Sequence, residues 1–348
     1  MSDKKGTPSG KRATMTDVAK RAGVSQATVS LVLNNAGGVR VNDETRERVQ
    51  KAADDLGYTI WRRTRVGAGS IRIIGFLIDD IASSPLTTAS IEAARQAAWE
   101  NGCVLVVLPI HGETALERAA IKLLLDQRLV GVIYACFYTK KVVLPKALRT
   151  VPVVLVNCFS SDINLLAFVP SHEAGAYHIT ASLIARGHRR IAYINGKSDM
   201  LASQQRLQGY RRAMSDHDVP IDETLVAEGS WSLSQAQALT SDFLHLSQPP
   251  DAIFCASDRM ALGAYAAAAA ANLRIPDDIA VVGFDNDPIA AHLSPPLTTV
   301  HVPHAGMGQI AVQQLVSRYE GRMQGLLTGM IPLDCVLVER ASHAKSPL

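Results

Sequence analysis

Apolar residues recur over the first sixty positions of the chain at the three- and four-residue spacing of short amphipathic helices. The three stripes are Val18, Ala19 and Ala22; then Val29, Val32 and Leu33; then Val49, Ala52, Ala53 and Leu56. Gly23 follows the first stripe and can take the positive φ of a helix C-cap. The pattern predicts three helices, the first beginning at Thr16, the second capped by Ser25 and the third opened by Asn42.

From residue 71 onward, continuous apolar runs of strand length alternate with helix-length segments. The predicted strands are 71–78, 103–108, 129–136, 151–157, 190–194, 252–255 and 279–284. The predicted helices are 91–101, 116–127, 174–186, 204–215 and 259–271. This alternation predicts α/β architecture with parallel sheets and helices on both faces. Around 270 residues are too many for one such sheet, so we expect two doubly wound lobes.

Composition excludes several classes of protein. The chain has 348 residues, of which 47% are hydrophobic and 19% charged, so it is not a disordered chain. No apolar run approaches the ~20 residues of a membrane span. The N-terminus is basic and polar without the apolar segment of a signal peptide, so we expect a cytoplasmic protein. The five cysteines are scattered without a C-x-x-C pair, which predicts buried free thiols, no metal site and no cofactor.

Charge is divided unevenly along the chain. The net charge is +3, but residues 1–65 carry +6 and the remainder carries −3. A basic head on a mildly acidic body favours an arm that meets a polyanion. A solvated basic tail would show the same charge, so the spacing of residues in the head has to decide between the two.

Two short helices joined by a glycine turn are typical of a helix-turn-helix, whose second helix presents its first residues to base edges in the major groove. The outward positions of that helix are Gln26, Ala27, Thr28, Ser30 and Leu31, which are short or neutral and permit close approach to DNA. An ordinary three-helix bundle with a polar face is the alternative. The basic charge and the terminal position favour DNA binding.

The run from Met15 to Asn34 (MTDVAKRAGVSQATVSLVLN), with Asp43 to Val49 and Leu56-Gly57-Tyr58 after it, resembles the DNA-binding head of LacI/GalR-family transcriptional repressors. The resemblance implies that Gln26, Ala27 and Leu31 read bases. Gln26 suits adenine, and the other two suit thymine methyl groups. Many members have a cation at the position of Leu31, so a different operator base is expected there. The remaining DNA-binding candidates, for phosphates or caps, are Thr16, Ser25, Thr28, Ser30 and Asn34.

The segment 59–70 departs from the family pattern, because it lacks the proline and the leucine of the usual hinge helix. Gly67 and Gly69 weaken any helix there by about 1 kcal/mol each. Arg62, Arg63 and Arg65 are candidates to follow phosphates or to enter a narrow minor groove. A flexible basic tether is an equal alternative.

The resemblance also implies a periplasmic-binding-protein-like body. The expected divisions are a tail at 1–14, the helix-turn-helix at 15–58, the linker at 59–70, the body at 71–340 and a tail at 341–348. Lobe one is expected at about 71–160 plus 294–323, and lobe two at about 161–293 plus 324–340. Ligands of such sheets bind beyond the carboxyl ends of the strands, here between the lobes.

Candidate effector contacts follow from the strand ends and from the resemblance. Arg206 matches a ligand-clamping arginine, Asp285 a carboxylate that takes two hydroxyls, and Trp231 an aromatic cover. The other candidates are Asp79, Asn157 and Ser257, and the last two stand where many members have Asp and Asn. A carboxylate, a fork-shaped cation and a ring face suit a sugar-like effector. The alternatives are a surface cation for Arg206, core packing for Trp231 and a helix cap for Asp285.

The leading hypothesis is a repressor of a catabolic or uptake operon, a homodimer on a palindromic double-stranded DNA operator that a small sugar-like effector releases. A purine- or nucleoside-type regulator with a co-repressor is the alternative, and a cytoplasmic solute receptor fits less well. An α/β enzyme with Asp258 or Asp285 as general base is a third class. It is not favoured, because no nucleophile or metal cluster accompanies these carboxylates.

Overall fold

The computed structural model describes residues 14–34, 42–56, 71–80, 85–110, 113–322 and 327–343. The chain divides into two compact units, one at Met1–Ser70 and one at Ile71–Leu348. Within the described ranges, none of the helices has the length and apolar character needed to cross a bilayer. The tail 1–13, the linker 59–70 with its three arginines, and residues 344–348 lie outside the described residues.

The first unit contains the three predicted helices, α1 (Met15–Ala22), α2 (Gln26–Asn34) and α3 (Asp43–Asp55). All three predicted apolar stripes face one another. Their buried members are Val18, Ala19, Ala22, Val29, Val32, Leu33, Val49, Ala52 and Ala53. This small core fixes the angle between α1 and α2 that a helix-turn-helix needs.

The caps of these helices are as predicted except at the first. Thr14, and not Thr16, caps α1. It forms a capping box with Asp17, whose carboxylate accepts from the Thr14 backbone N–H at 2.8 Å. Gly23 ends α1 at φ 66° and donates its N–H to Ala19 O. Ser25 Oγ accepts from Thr28 N at 3.1 Å, which confirms it as the cap of α2.

The second unit alternates strands and helices. Its strands are β1 (Arg72–Ile78), β2 (Cys103–Pro109), β3 (Leu129–Lys141), β4 (Val153–Phe159), β5 (Leu166–Pro170), β6 (Ile191–Asn195), β7 (Val226–Glu228), β8 (Ala252–Cys255), β9 (Ala280–Val282), β10 (Thr299–His301), β11 (Gly329–Leu333) and β12 (Val336–Val338). Its helices are α4 (Pro85–Glu100), α5 (Thr114–Leu125), α6 (His172–Ala185), α7 (Leu201–Asp216), α8 (Leu233–Leu244), α9 (Asp258–Ala270) and α10 (His304–Tyr319).

The strands form two parallel sheets, as predicted. The six-stranded sheet has the order β11-β5-β4-β3-β1-β2, and the four-stranded sheet has the order β7-β6-β8-β9. The pair β10-β12 is antiparallel and adjoins the four-stranded sheet through a bridge between Val282 of β9 and Thr298, the residue before β10. Each parallel sheet carries its own buried core, so the unit has two lobes.

The lobe boundaries differ from the expected ones. Residues 161–170 and 324–340 were expected in lobe two, but β5 and β11 pair with each other and β5 pairs with β4 inside the six-stranded sheet. The chain therefore passes to the second lobe after Pro170 and again after Leu333. Residues 294–323 were expected in lobe one. Of this segment, α10 does pack on the six-stranded sheet, but β10 belongs with the second lobe.

Helices α6 and α7 cover one face of the four-stranded sheet and lie unusually close together. A Cβ atom on Gly209 would lie 2.2 Å from the backbone oxygen of Glu173, so only glycine fits at this crossing. The close approach sets the position of Arg206, one turn earlier on α7, against His172 at the start of α6.

Candidate effector cavity and DNA-reading helix

The face of α2 that is not buried in the head is the candidate DNA surface. Gln26 is its first residue and is exposed, as is Thr16 on α1. The hydroxyls of Ser25 and Thr28 lie 2.9 Å apart at the N-terminus of α2, so both take part in capping. The backbones of Ala27, Ser30, Leu31 and Asn34 lie on α2, and their side chains are outside what the structure describes.

A cavity of about 190 Å³ lies in the second unit, where the carboxyl ends of strands from both parallel sheets meet. Five of the six candidate effector residues line it, namely Asn157, Arg206, Trp231, Ser257 and Asp285. Aromatic side chains of Phe76, Phe137 and Tyr138 contribute to the wall on the side of the first lobe. The cavity thus combines apolar faces with a few converging polar groups, as small-molecule sites do.

Asp79 is not among the lining residues of this cavity. Its carboxylate binds Lys140 Nζ at 2.5 Å and accepts from the Phe137 backbone N–H at 2.7 Å. Strand β3 runs on past the end of β1 as far as Lys141, and this extension brings Lys140 over Asp79. Asp79 does follow the end of β1, but its carboxylate is paired with Lys140 and is not part of the cavity wall.

Arg206 lines the cavity, and its buried guanidinium bonds to groups on several of the surrounding elements. Its Nη2 donates to Asp285 Oδ1 at 3.0 Å, its Nη1 donates to Ala256 O, and its Nε faces His172 Nδ1 at 3.4 Å. The guanidinium carbon lies 3.9 Å from the centre of the Phe284 ring. Three of its five N–H groups are used within the protein, which leaves two for a ligand. The surface-cation alternative for Arg206 is therefore wrong.

Trp231 is held against the cavity by its backbone and by a glycine. Its φ is 61°, in the left-handed region that non-glycine residues seldom adopt. A Cβ atom on Gly196 would lie 2.1 Å from the indole ring, so the ring packs directly against the Gly196 backbone and only glycine leaves room for it. The indole Nε1–H points to Met200 Sδ at 3.0 Å, and the guanidinium of Arg206 lies 5.4 Å from the ring centre.

Asn157 lines the cavity, but most of its hydrogen-bonding groups are bonded to other groups of the protein. Its Nδ2 donates to the carbonyl oxygens of Cys136 and Phe137 at 3.0 and 2.9 Å, and its Oδ1 accepts from Thr139 at 2.5 Å. Its φ of 53° is also left-handed. Asn157 thus offers a ligand no donor, and its first role is to hold β3 and β4 at their ends.

Ser257 and Ser90 both line the cavity, but only the position of Ser257 leaves a hydroxyl group for a ligand. Ser257 Oγ caps α9 by accepting from Met260 N at 3.3 Å, which leaves its O–H free to donate. Ser90, on α4, is buried, and its Oγ has no hydrogen-bond partner within the described residues. A Cβ atom on Gly308 would lie 3.0 Å from this oxygen, so the Ser90 hydroxyl lies in the contact between α4 and α10.

The two carboxylates beside Arg206 differ in role. Burial raises the pKa of Asp285 to about 6, against the opposing effect of the Arg206 charge. Burial, and then the charge of Asp285, raise the pKa of Asp258 well above its usual range. Asp258 accepts from Thr299 Oγ1 at 2.6 Å and from Asp287 N at 2.7 Å, so one of its oxygens holds β10 and the other holds the loop after β9. Asp285 uses Oδ1 for Arg206 and lines the cavity.

Sequence reasoning missed several polar residues of the cavity wall. They include Thr87, Ser90, Thr139, His172, Arg259 and His304. His172 follows directly on the unpredicted strand β5, so recognising that strand would have placed it at a strand end. Ser90 and Thr139 lie inside a helix and a strand, where no local signal marks them.

No metal centre is seen within the ranges that the structure describes, since no three His, Cys, Asp or Glu side chains there are grouped as ligands. All five cysteines are buried and unpaired, as predicted. Burial raises the pKa of Cys255 and Cys335 above that of an ordinary thiol.

A helix-turn-helix head and a two-lobed α/β body with a cavity at its strand ends define a ligand-responsive DNA-binding regulator. Residues 14–59 match the family "Bacterial regulatory proteins, lacI family", and residues 180–342 match the "Periplasmic binding protein-like domain". With the relatives described next, this shows that the chain belongs to the LacI family of transcriptional repressors.

Among the relatives is the HTH-type transcriptional repressor PurR of Proteus mirabilis (strain HI4320), which is 33% identical over 96% of this chain and 98% of its own. The ribose operon repressor of Haemophilus influenzae is 30% identical over 94% and 98%. A solved structure of the lac repressor dimer bound to operator and the anti-inducer ONPF is 28% identical, covers 96% of this chain and 100% of that one, and has a TM-score of 0.69.

Family membership establishes what the protein is. It is a DNA-binding transcriptional repressor that acts in the cytoplasm and is not an enzyme. The lac repressor to which it is similar forms a dimer that binds its operator and a small molecule. The predicted class and fold are thereby confirmed, and the receptor and enzyme alternatives fall away.

Proposed function

We propose that the cavity around Arg206 is the effector site and that its ligand is a small polyhydroxylated molecule whose binding releases the repressor from the operator of a catabolic or uptake operon. The observation that carries this is the buried Arg206–Asp285 pair, set between the rings of Phe284 and Trp231. The pair offers two N–H donors and a carboxylate oxygen. These groups match the neighbouring hydroxyls of a sugar, and ring faces cover its C–H side.

The size of the cavity narrows the ligand further. About 190 Å³ lies below the range of roughly 300–1,000 Å³ typical of drug-sized sites. A single sugar ring or a single base fits this space better than a disaccharide or a whole nucleoside. The free Ser257 O–H adds one donor for such a ligand.

A purine-type co-repressor is the second candidate. The wall of Phe76, Phe137 and Tyr138 favours it, because flat rings stack on aromatic faces. A relative bears the name PurR. A nucleobase would pair its edge with Arg206 and Asp285 but would leave the free O–H of Ser257 unused, so the sugar is the better match.

Thermal-shift measurements with D-ribose, D-glucose, guanine and hypoxanthine separate these ligands. We expect a sugar to raise the melting temperature of the wild type and neither base to do so. Arg206→Ala and Asp285→Ala should each abolish the shift but keep operator affinity in fluorescence anisotropy. Stabilisation by a base alone would favour the second candidate. Retention of the shift by both variants would place the effector elsewhere.

We also propose that α2 reads the operator. Gln26 is its exposed first residue, and its amide suits a bidentate contact with adenine. Leu31 takes the place of a cation and should favour a thymine methyl contact. Thr16 on α1, and Ser25 and Thr28 at the start of α2, are the proposed phosphate contacts, and the linker arginines 62, 63 and 65 would add to the electrostatic attraction.

A further inference from the structure

Four buried polar side chains form one continuous chain of hydrogen bonds beside the effector cavity. Arg206 Nε lies 3.4 Å from His172 Nδ1, His172 Nε2 lies 3.1 Å from Thr139 Oγ1, and Thr139 Oγ1 lies 2.5 Å from Asn157 Oδ1. Their exposed fractions are 3–6%. Because bulk water has little access, each hydrogen must go to an acceptor that the protein provides.

The Asn157 end of the chain fixes the direction of the bonds. Asn157 faces two backbone carbonyl oxygens, those of Cys136 and Phe137, which can only accept. Its amide nitrogen must therefore lie on their side, and its oxygen must face Thr139. The Thr139 hydroxyl then donates to Asn157, so it has to accept from His172. This requires a hydrogen on Nε2 of the imidazole.

The Arg206 end imposes the same tautomer independently. The Nε–H of an arginine can only donate, so His172 Nδ1 must carry a lone pair. Burial, together with the charge of Arg206, lowers the pKa of His172 well below its usual range, so the ring is neutral. Both ends of the chain thus demand one protonation state, with Nε2 protonated and Nδ1 bare.

The chain spans the two lobes of the body. Thr139 on β3 and Asn157 on β4 belong to the six-stranded sheet, whereas Arg206 lies on α7, which packs on the four-stranded sheet. His172 is the first residue of α6, directly after the crossing at Pro170. The adjacent Ser171 N–H donates to Leu333 O at 2.8 Å, which ties two of the crossings together.

We propose that His172 is a positioning residue for effector recognition. Its unprotonated Nδ1 accepts from Arg206 Nε and so fixes the orientation of the guanidinium. The imidazole is itself held by its bond to Thr139, which bonds in turn to Asn157 in the other lobe. With Nε held, and Nη1 and Nη2 each using one hydrogen on Ala256 and Asp285, the guanidinium keeps one N–H on each terminal nitrogen. That arrangement fits an effector with two neighbouring acceptor oxygens. This last step rests on the proposed function, but the hydrogen-bond chain does not.

A purely space-filling role is the competing account. Thr139 and His172 also line a second cavity, of about 400 Å³, so the pair stands between two cavities. Truncation to alanine would merge them and would not separate the two accounts. Variants that keep the volume but move the acceptor are needed.

Substitution of His172 by asparagine or by glutamine preserves one of the two hydrogen bonds of the imidazole and removes the other. In His172→Asn the amide takes the place of Nδ1 but is too short to reach Thr139. In His172→Gln the amide reaches Thr139 but leaves the Nε side of Arg206 without an acceptor. Thr139→Val breaks the chain one step later. Thr180→Val is its matched control, because Thr180 is buried on α6 and, among the described residues, its hydroxyl bonds only to Ala176 O at 2.8 Å.

The test uses effector-free, full-length protein labelled with ¹⁵N-histidine or ¹⁵N-arginine. The His172 signal, assigned by its loss in the variants, should show a neutral ring with protonated Nε2 at pH 7. Solvent exchange of the Arg206 Nε–H, assigned with Arg206→Lys, should be about tenfold faster in His172→Gln and nearly unchanged in His172→Asn. Thr139→Val should accelerate exchange of the His172 Nε2–H, and Thr180→Val should not.

A ring protonated on Nδ1, or an imidazolium at pH 7, would overturn the proposal. So would equal Arg206 exchange rates in His172→Gln and His172→Asn, or equal effects of Thr139→Val and Thr180→Val. These measurements contain no effector. Failure of both D-ribose and D-glucose to stabilise the protein would therefore count against the proposed function and leave the hydrogen-bond chain standing.

Discussion

The buried pair between Arg206 and Asp285 makes a prediction about stability that can be worked from the structure. Only 6% and 17% of the two side chains are exposed, and Nη2 lies 3.0 Å from Oδ1. Arg206→Met keeps the volume and removes the charge, so it leaves an unpaired carboxylate in the cavity. Breaking a buried pair in this way costs about 3–5 kcal/mol in the free energy of unfolding.

The cost of Arg206→Met should depend on pH. In the wild type, burial raises the pKa of Asp285 from 3.8 to about 6, so this group destabilises the fold above pH 6 and does so less as the pH falls toward 3.8. Arg206 opposes that rise, so the pKa of Asp285 is higher still in the variant. The stability gap should therefore narrow from pH 8 to pH 5.5, by at most about 1.4 kcal/mol per pH unit.

Urea unfolding at pH 8 and pH 5.5, at one fixed protein concentration, measures this gap. Asp285→Asn supplies the control, because Arg206→Met added to it should produce a gap that does not change with pH. If the difference in unfolding free energy between the wild type and Arg206→Met, both with Asp285 present, were equally large at both pH values, the reasoning from the ion pair would be refuted.

Three further substitutions follow from the geometry. Gly196→Ala should push the indole of Trp231 away, destabilise the body by about 1–3 kcal/mol and weaken effector binding in thermal-shift assays; Gly306→Ala, whose Cβ has its nearest neighbour at 3.8 Å, should do neither. Gly23→Ala should cost the head about 1 kcal/mol by urea unfolding and lower operator affinity. Gly321→Ala has nearly the same φ of 67° but lies in the body, so it should leave operator binding unchanged. Leu31→Arg should raise the preference for guanine at one operator position in binding to a randomised operator library, and an unchanged preference would show that the α2 register is wrong.

The head was predictable because its signals are local. The stripe of Val29, Val32 and Leu33 and the cap at Ser25 depend only on spacing along the chain, and α2 begins where predicted. The cap of α1 was misplaced by two residues, since Thr14 and Thr16 are both acceptable caps and only the bond to Asp17 distinguishes them.

The body was predictable where strands are long and apolar, and less so elsewhere. Strand β5 has five residues and ends in Pro170, so it reads as a loop, and its omission displaced the lobe boundary. Strand β11 contains Pro332, which an edge strand tolerates because one side of its backbone needs no partner. Neither strand carries a signal of its own, and both are fixed by pairing with distant residues.

The effector cavity shows the same division. Strand ends and resemblance indicated Arg206, Trp231, Ser257 and Asp285, which all line the cavity. They did not reveal that Asn157 is occupied by backbone carbonyls. The bond between His172 and Arg206 depends on the close crossing of α6 and α7, which joins residues far apart in the sequence.

The most direct test of the central claim, that α2 of this repressor touches operator bases, is selection of duplexes from a randomised DNA library by the full-length protein and by Gln26→Ala. The account predicts that the wild type enriches an inverted repeat and that Gln26→Ala loses discrimination at one adenine in each half-site, worth about 1–3 kcal/mol, while still binding. Enrichment of no inverted repeat by the wild type, or an identical consensus for both proteins, would contradict it.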